Sequence, residues 1–268
     1  MDNQNQEWYA RGTGAGLFDS LGRWLDFGEQ AAIGLIAAHV RDQSVLDVGI
    51  GAGRTPSLLR LLTDDYVGID YSKPLVERAK KAHPDLDLRE GDARDLASVF
   101  DKKFALVLFS YNGIDTVSRR ERSVVLSQIG AVLSPGGYFV YSTLNKRGHW
   151  FNEAPWRSDY NEARRGLKPL ALVLARVALR KEGYRRRYVS WWRMRHEVQD
   201  FGDWGIGPLG GPGTGLTVHW TTPSETRREL SELDFEVVAM YESDGSEIAA
   251  GQRDAVGPYF HVVARCLA

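Results

Sequence analysis

A doubly wound α/β sheet is the fold this sequence predicts, and three observations predict it. Short β-forming runs alternate with helical stretches between residues 44 and 143. The runs are nearly continuous in apolar residues, as expected when helices cover both faces of a parallel sheet. The first run ends in a glycine turn, Val45-Leu-Asp-Val-Gly-Ile-Gly-Ala-Gly-Arg54, and Thr55–Leu62 follows with helical character.

That turn narrows the chemistry. Glycines let the backbone turn sharply and let a ligand come close, and the helix start adds unpaired N–H groups with partial positive charge. A dinucleotide fingerprint requires a sixth-position glycine, but the register from Gly49 places Arg54 there. A phosphate loop requires Gly-Lys-Ser/Thr, and no lysine is present in the turn. What remains is Asp47, two residues before Gly-x-Gly-x-Gly, an acid that favours a cationic ligand over a pyrophosphate.

The elements then follow in order. Glu29 to Val40 reads as the helix before the first strand. Tyr66-Val-Gly-Ile-Asp-Tyr-Ser72 is a second strand ending at Asp70, 21 positions beyond Gly49. An acid at about that distance is placed to accept from ribose hydroxyls. Lys73–Ala82 is helical. Leu86 to Leu96 holds a short strand ending in Gly91-Asp92-Ala93. Phe104 to Gly113 is a buried strand ending in the polar stretch Ser110-Tyr-Asn-Gly113. Arg119–Leu133 is a helix, which Pro135-Gly136-Gly137 breaks, turning the chain into the fifth strand within the stretch Leu133 to Thr143. Residues 223–233 form a helix with Pro223 at its start. Phe235–Tyr241 and Tyr259–Cys266 read as closing strands.

Together these landmarks resemble the class I S-adenosylmethionine-dependent methyltransferases, of the bacterial small-molecule type. The resemblance covers roughly residues 40–145 and the last 45 or so. It implies a Rossmann-like seven-stranded sheet with an antiparallel edge pair and an insertion after the fifth strand. It also implies S-adenosyl-L-methionine as the methyl donor. By that resemblance the backbone of Gly49, Gly51 and Gly53 faces the donor's carboxylate tail, Asp47 its ammonium and sulfonium, and Asp70 its ribose diol. Asp92 and Ala93 meet the adenine edge, Tyr71 packs on the ring, and Ser110 lies beside the cofactor. Asn112 and His149 are the candidate catalytic groups at the methyl. Asn112 lacks the following proline and aromatic of amide and adenine methylases, which argues against DNA adenine and glutamine acceptors. An isolated acid at a strand end would be read as a turn or helix cap; five landmarks in register favour the site.

Composition bounds the rest. The chain has 268 residues, 43% hydrophobic and 26% charged, with net charge −1. That balance gives no overall bias toward nucleic acid. The single cysteine, Cys266, excludes an internal disulfide and a cysteine metal site. No His/Asp/Glu set has metal-ligand spacing, so no metal is expected. The polar, acidic start Met1–Glu7 is unlike a signal peptide, and no apolar run reaches ~20 residues. A cytoplasmic location is expected.

Four stretches organise the chain: a helical segment over the cofactor (1–43), the cofactor-binding core (44–146), a basic tryptophan-rich insertion (147–217), and a closing helix and strands (218–268). Residues 147–195 carry 13 Lys+Arg against 4 Asp+Glu, a net of +9. Five of eight tryptophans fall between 150 and 204. Within the insertion, Gly166–Gly183 reads as a basic helix, Tyr184–Arg195 as alternating strand, and Gly202–Gly215 as a loop. Too few apolar positions are clear for an independent core. Trp150, Arg185, Arg186, Arg187, Trp191 and Trp192 are the candidate acceptor contacts. Such charge runs are commonly a solvated face; here they also suit an acidic acceptor, or, interleaved with tryptophans, stacked nucleobases or a membrane surface. The expected activity is methyl transfer to oxygen or nitrogen of a small molecule or short peptide. A nucleic-acid methyltransferase and a non-catalytic cofactor-binding protein are the alternatives. The sequence does not specify an oligomer.

Overall fold

The computed structural model describes residues 5, 25–151, 189, 191–209 and 216–267. Seven strands form one sheet in the order β3-β2-β1-β4-β5-β10-β9. Their ranges are β1 Val45–Val48, β2 Tyr66–Asp70, β3 Asp87–Glu90, β4 Phe104–Phe109, β5 Leu133–Leu144, β9 Phe235–Glu242 and β10 Tyr259–Cys266. The first five run parallel. β10 runs antiparallel to both β5 and β9, so the expected antiparallel pair closes one edge.

Helices cover both faces. On one face α1 (Phe27–Val40), α2 (Pro56–Leu59) and α3 (Lys73–Ala82) bury Ile33, Ile36, Leu59 and Ala79 against Val45, Leu106, Val140 and Val263. On the other, α4 (Leu96–Val99), α5 (Arg119–Val132) and α6 (Pro223–Ser231) bury Leu96, Val125, Ile129 and Leu230 against Leu46, Val107 and Phe139. Each fully buried aliphatic side chain contributes about 1.5–3 kcal/mol. Caps fix the helix starts: Asp26 accepts from Glu29 N, Ser118 from Glu121 N and Thr222 from Glu225 N.

Two boundaries differ from expectation. α2 ends at Leu59, because the following N–H groups of Leu61 and Leu62 bond three residues back, the tightened closure of a short helix. β5 starts at Leu133, before Pro135-Gly136-Gly137. Leu133 already pairs with Phe104, and the proline–glycine stretch is an irregularity inside the strand, with Gly136 at φ +76°.

A second sheet, β6 (Gln199–Asp200), β7 (Trp204–Pro208) and β8 (Thr217–Thr221), stands at the carboxyl end of β5. Thr221 bridges to Asn145 and accepts from Lys146 N at 2.9 Å. Leu144, Leu216, Val218 and Trp220 share a small apolar cluster with Trp150, Phe151 and Tyr259. The stretch expected as a glycine-rich loop from Gly202 thus contains strand β7. Its Gly205 lets the strands approach, since a Cβ there would lie 2.7 Å from the Gln199 carbonyl oxygen. Trp191–Met194 is helical rather than strand. The Arg195 guanidinium lies 5.9 Å from the Trp191 ring and 5.3 Å from that of Trp192, contacts that helical spacing creates. Gly166–Gly183 and Arg185 to Arg187 lie outside the described residues, as do Trp8 and Tyr9. Asn5 is described: its amide donates to Thr116 O (2.6 Å) and Thr217 O (2.8 Å), joining the chain start to the β4 exit and β8.

Candidate active site

The five parallel strands end on one edge, where open α/β sheets bind ligands. The glycine turn leaves β1 there. Gly49, Gly51 and Gly53 all have positive φ (+69°, +55° and +89°), which side-chain-bearing residues rarely adopt. Their N–H groups are used inside the protein: Gly49 N donates to Ile69 O, Gly53 N to Ile50 O, and Gly51 N to Asp70 Oδ2 at 2.9 Å. The turn is therefore shaped by β2. At Gly51 an added Cβ would meet nothing within 4 Å, so the turn borders open space.

Asp70 ends β2 with its carboxylate held in two places, by Gly51 N and by Ser72 N at 2.8 Å. Burial raises its pKa to about 6 despite those two bonds. Each oxygen keeps a lone pair beyond the bond it accepts. Beside it, Tyr71, Ser72, Lys73, Pro74, Glu90, Gly91 and Asp92 line a pocket of about 620 Å³. Asp92 does not stand free in it. Both its oxygens bond the Arg94 guanidinium, and Arg94 also reaches Glu121. Burial would raise the Asp92 carboxyl, but the Arg94 bonds outweigh it and hold it low. Ala93 follows in a short 3-10 turn.

Asp47 lies beneath the glycine turn and is fully buried. Its Oδ2 accepts from the Thr55 hydroxyl and from the Tyr66 phenol at 2.9 Å. Burial raises its pKa to about 7. Its Oδ1 is buried with no hydrogen-bond partner.

The turn's arginine has a definite partner. Arg54 makes two 2.8 Å bonds to the Glu29 carboxylate in the first turn of α1. Ser110, at the end of β4, bonds both Arg54 and Glu29. Ser110 therefore closes an internal triad. The Arg54 guanidinium also lies 5.6 Å from the Tyr111 ring. Tyr111 and Asn112 both adopt positive φ, +56° and +58°, a strained exit from β4. Asn112 N donates to Ser142 Oγ at 2.7 Å, while its Oδ1 is buried without a partner.

The other candidates lie farther along the edge. His149 is exposed, its ring 6.0 Å from that of Trp150. Trp150 in turn lies 5.9 Å from Tyr259. Trp192 is half exposed. The structure thus brings together the glycine turn, Asp47, Asp70 and the Tyr71–Asp92 pocket, with Asn112 at the neighbouring strand end. Sequence reasoning missed Glu29, Thr55 and Tyr66. The available signal was Arg54 itself, a cation in a glycine slot that demanded an acid. No helix among the described residues is long and apolar enough to cross a membrane.

Comparison with known proteins agrees with this geometry. Residues 45–137 match the family described as a methyltransferase domain. A fatty-acid O-methyltransferase of Mycolicibacterium smegmatis is 32% identical over 115 residues, 41% of this chain and 40% of that protein. A dTDP-3-amino-3,4,6-trideoxy-alpha-D-glucopyranose N,N-dimethyltransferase of Streptomyces venezuelae is 29% identical over 50% of this chain and 55% of that protein. The chain spans about two fifths to about half of the length of these curated relatives. Among solved structures, the CcbJ methyltransferase from Streptomyces caelestis superposes with TM-score 0.58 at 17% identity, covering 97% of this chain and 98% of that one. The glycopeptide N-methyltransferase MtfA, complexed with S-adenosyl-L-homocysteine, gives 0.55 at 17% identity, covering 91% of each chain. Sheet order and glycine turn agree with the methyltransferase-domain match over residues 45–137, and the solved structures share the fold.

Proposed function

We propose that this protein transfers the methyl group of S-adenosylmethionine to an oxygen or nitrogen of a small molecule or short peptide. The observation that carries the reading is the Gly51–Asp70 unit, a positive-φ turn bonded to a buried strand-end carboxylate beside a pocket of about 620 Å³. Asp70 would hold the ribose diol through its remaining lone pairs, and Tyr71 would pack on the adenine. Asp92, oriented by Arg94, and Ala93 would meet the adenine edge. Asp47 Oδ1 suits the donor's cationic end, and the glycines give clearance for its tail. When bound, S-adenosylmethionine supplies a sulfonium methyl whose leaving group departs as a neutral thioether, so positioning dominates over acid catalysis. Asn112, at the β4 exit, would orient the acceptor, and His149 is the candidate base.

The relatives' names support the acceptor class, since they include a fatty-acid O-methyltransferase, an amino-sugar N,N-dimethyltransferase and a cypemycin N-terminal methyltransferase. The second sheet and Trp150 beside the β5 exit support residues 147–217 as the acceptor-side cover. Asn5, bonded to Thr116 O and Thr217 O, supports the chain start lying over the same edge. Calorimetry tests the reading: the protein should bind S-adenosylmethionine and S-adenosylhomocysteine, and neither NAD nor ATP with similar affinity. Absence of S-adenosylhomocysteine binding by folded protein would overturn it. Mass spectrometry of co-purified small molecules would then identify the acceptor.

A further inference from the structure

The strand-end edge carries a second polar set that the methyl donor does not use. Asp26 precedes α1 and accepts from Glu29 N at 2.8 Å. The same carboxylate accepts from the Tyr259 phenol at 2.7 Å, and His261 Nε2 lies 2.9 and 3.1 Å from its two oxygens. A helix cap needs only the first of these bonds. Burial would raise the Asp26 carboxyl, but His261, Glu29 N and Tyr259 outweigh it and keep it below the usual range. It is ionised at neutral pH.

Topology places the set beside the reaction edge. Tyr259 and His261 lie opposite Leu144 and Ser142 in the β10–β5 ladder. Ser142 Oγ in turn accepts from Asn112 N. Strands lie about 4.8 Å apart, so β10 is about 10 Å from β4 and about 14 Å from β1. A small organic acceptor spans that distance. Tyr259 gives its one hydroxyl proton to Asp26, so its oxygen keeps lone pairs for another donor. The Trp150 ring, 5.9 Å from Tyr259, adds an apolar wall.

Resting on the reading that the acceptor enters at this edge, we propose that Asp26 and Tyr259 bind a protonated amine on that acceptor. Asp26 supplies the opposite charge, and the Tyr259 oxygen accepts one of its N–H bonds. A carboxylate in the same place would face a like charge and a phenol oxygen whose one proton is already given to Asp26. This set therefore selects the opposite charge from the one that the arginines of residues 147–195 suggest.

Two probes with the same ring and opposite charge test it: phenethylamine and phenylacetate. Saturation-transfer NMR is run on protein saturated with S-adenosylhomocysteine at pH 7. The expected result is a signal for phenethylamine and none for phenylacetate. Asp26→Asn, which preserves a helix cap, and Tyr259→Phe should each lower the phenethylamine signal at least fivefold. The comparison uses variants whose calorimetric affinity for S-adenosylhomocysteine stays within twofold of wild type. Absence of a phenethylamine signal, an equal or stronger phenylacetate signal, or undiminished signals in both variants overturns the amine site. Wild-type protein that fails to bind S-adenosylhomocysteine overturns the methyltransferase reading instead.

Discussion

At the β1–β2 end of the sheet, Asp70 is held by two backbone N–H groups. At the β5–α6 end, carboxylates are held mainly by arginines. Arg122 is fully buried and bonds Asp115 (2.6 Å) and Glu229 (2.9 Å). Arg119 bonds Glu225 and Glu229, and buried His219 sits 3.5 Å from Arg119 and 4.0 Å from Asp115. Asp115 also accepts from Leu144 N and the Thr143 hydroxyl. Burial first, and then Arg122 and Arg119, push the His219 pKa well down, so it is neutral. The contrast separates two uses of buried charge. Backbone-held Asp70 keeps uncommitted lone pairs beside the strand-end pocket, whereas the ion network consumes its charges in joining α5, α6, β5 and β8. It is architectural, and it ties β8 of the second sheet to the end of β5.

The largest expected effect breaks the architectural side. Arg122→Met leaves Asp115 and Glu229 buried and uncompensated, and breaking such a pair costs about 3–5 kcal/mol. Urea unfolding measures it; a loss under about 1 kcal/mol would mean that the network is not what joins these elements. The next effect falls on the ligand side. Asp70→Ala removes charge-assisted hydrogen bonds worth about 1.5–3 kcal/mol, roughly a 10- to 150-fold loss of S-adenosylhomocysteine affinity. Unchanged calorimetric affinity would remove Asp70 from the site.

The pH dependence sharpens the comparison. Asp47 and Asp70 titrate near 7 and 6 in the folded protein, above the ordinary 3.8, because burial disfavours the charged form. The folded state therefore binds more protons than the unfolded state between about pH 4 and 7. Through these two groups, stability declines as pH rises across that window and levels off above it. Asp47→Asn should flatten the wild-type curve by on the order of 1 kcal/mol per pH unit. Unfolding midpoints at pH 5, 6 and 7 check the sign; parallel curves would show that Asp47 does not titrate there.

Legibility in the sequence followed the range of the interactions. The glycine turn and Asp70 could be read because each answers a local backbone demand, positive φ in one case and a strand end in the other. The antiparallel pair was legible from its two apolar runs. The Arg54–Glu29–Ser110 triad was not, since its members lie 25 and 56 positions apart and nothing local pairs them. The same holds for Asp115, Arg122, Glu229 and His219. β7 was hidden because Gly205 and Gly207 suggested a loop, while cross-strand pairing with β8 holds them extended. Trp191–Met194 failed for the reverse reason: its polar and aromatic mixture fits either period, and the Arg195 contacts accompany helix.

The smallest expected effect concerns Trp192. Its side chain is half exposed and packs on Arg195. Removing a surface aromatic away from buried networks changes stability by about 0.5 kcal/mol or less. A residue that serves the ligand-binding half alone should lower cofactor affinity when removed. A residue of the ion network should lower stability. Trp192→Ala is expected to do neither, with unfolding midpoint and S-adenosylhomocysteine affinity both near wild type. If residues 147–217 cover the acceptor, the same variant raises KM for the acceptor once that molecule is known, because aromatic contact area is lost from one ligand only. Steady-state kinetics beside calorimetry on one preparation separate the cases. A fall in stability above about 1 kcal/mol would place Trp192 in the fold's support, and wild-type acceptor kinetics would leave it as solvated surface.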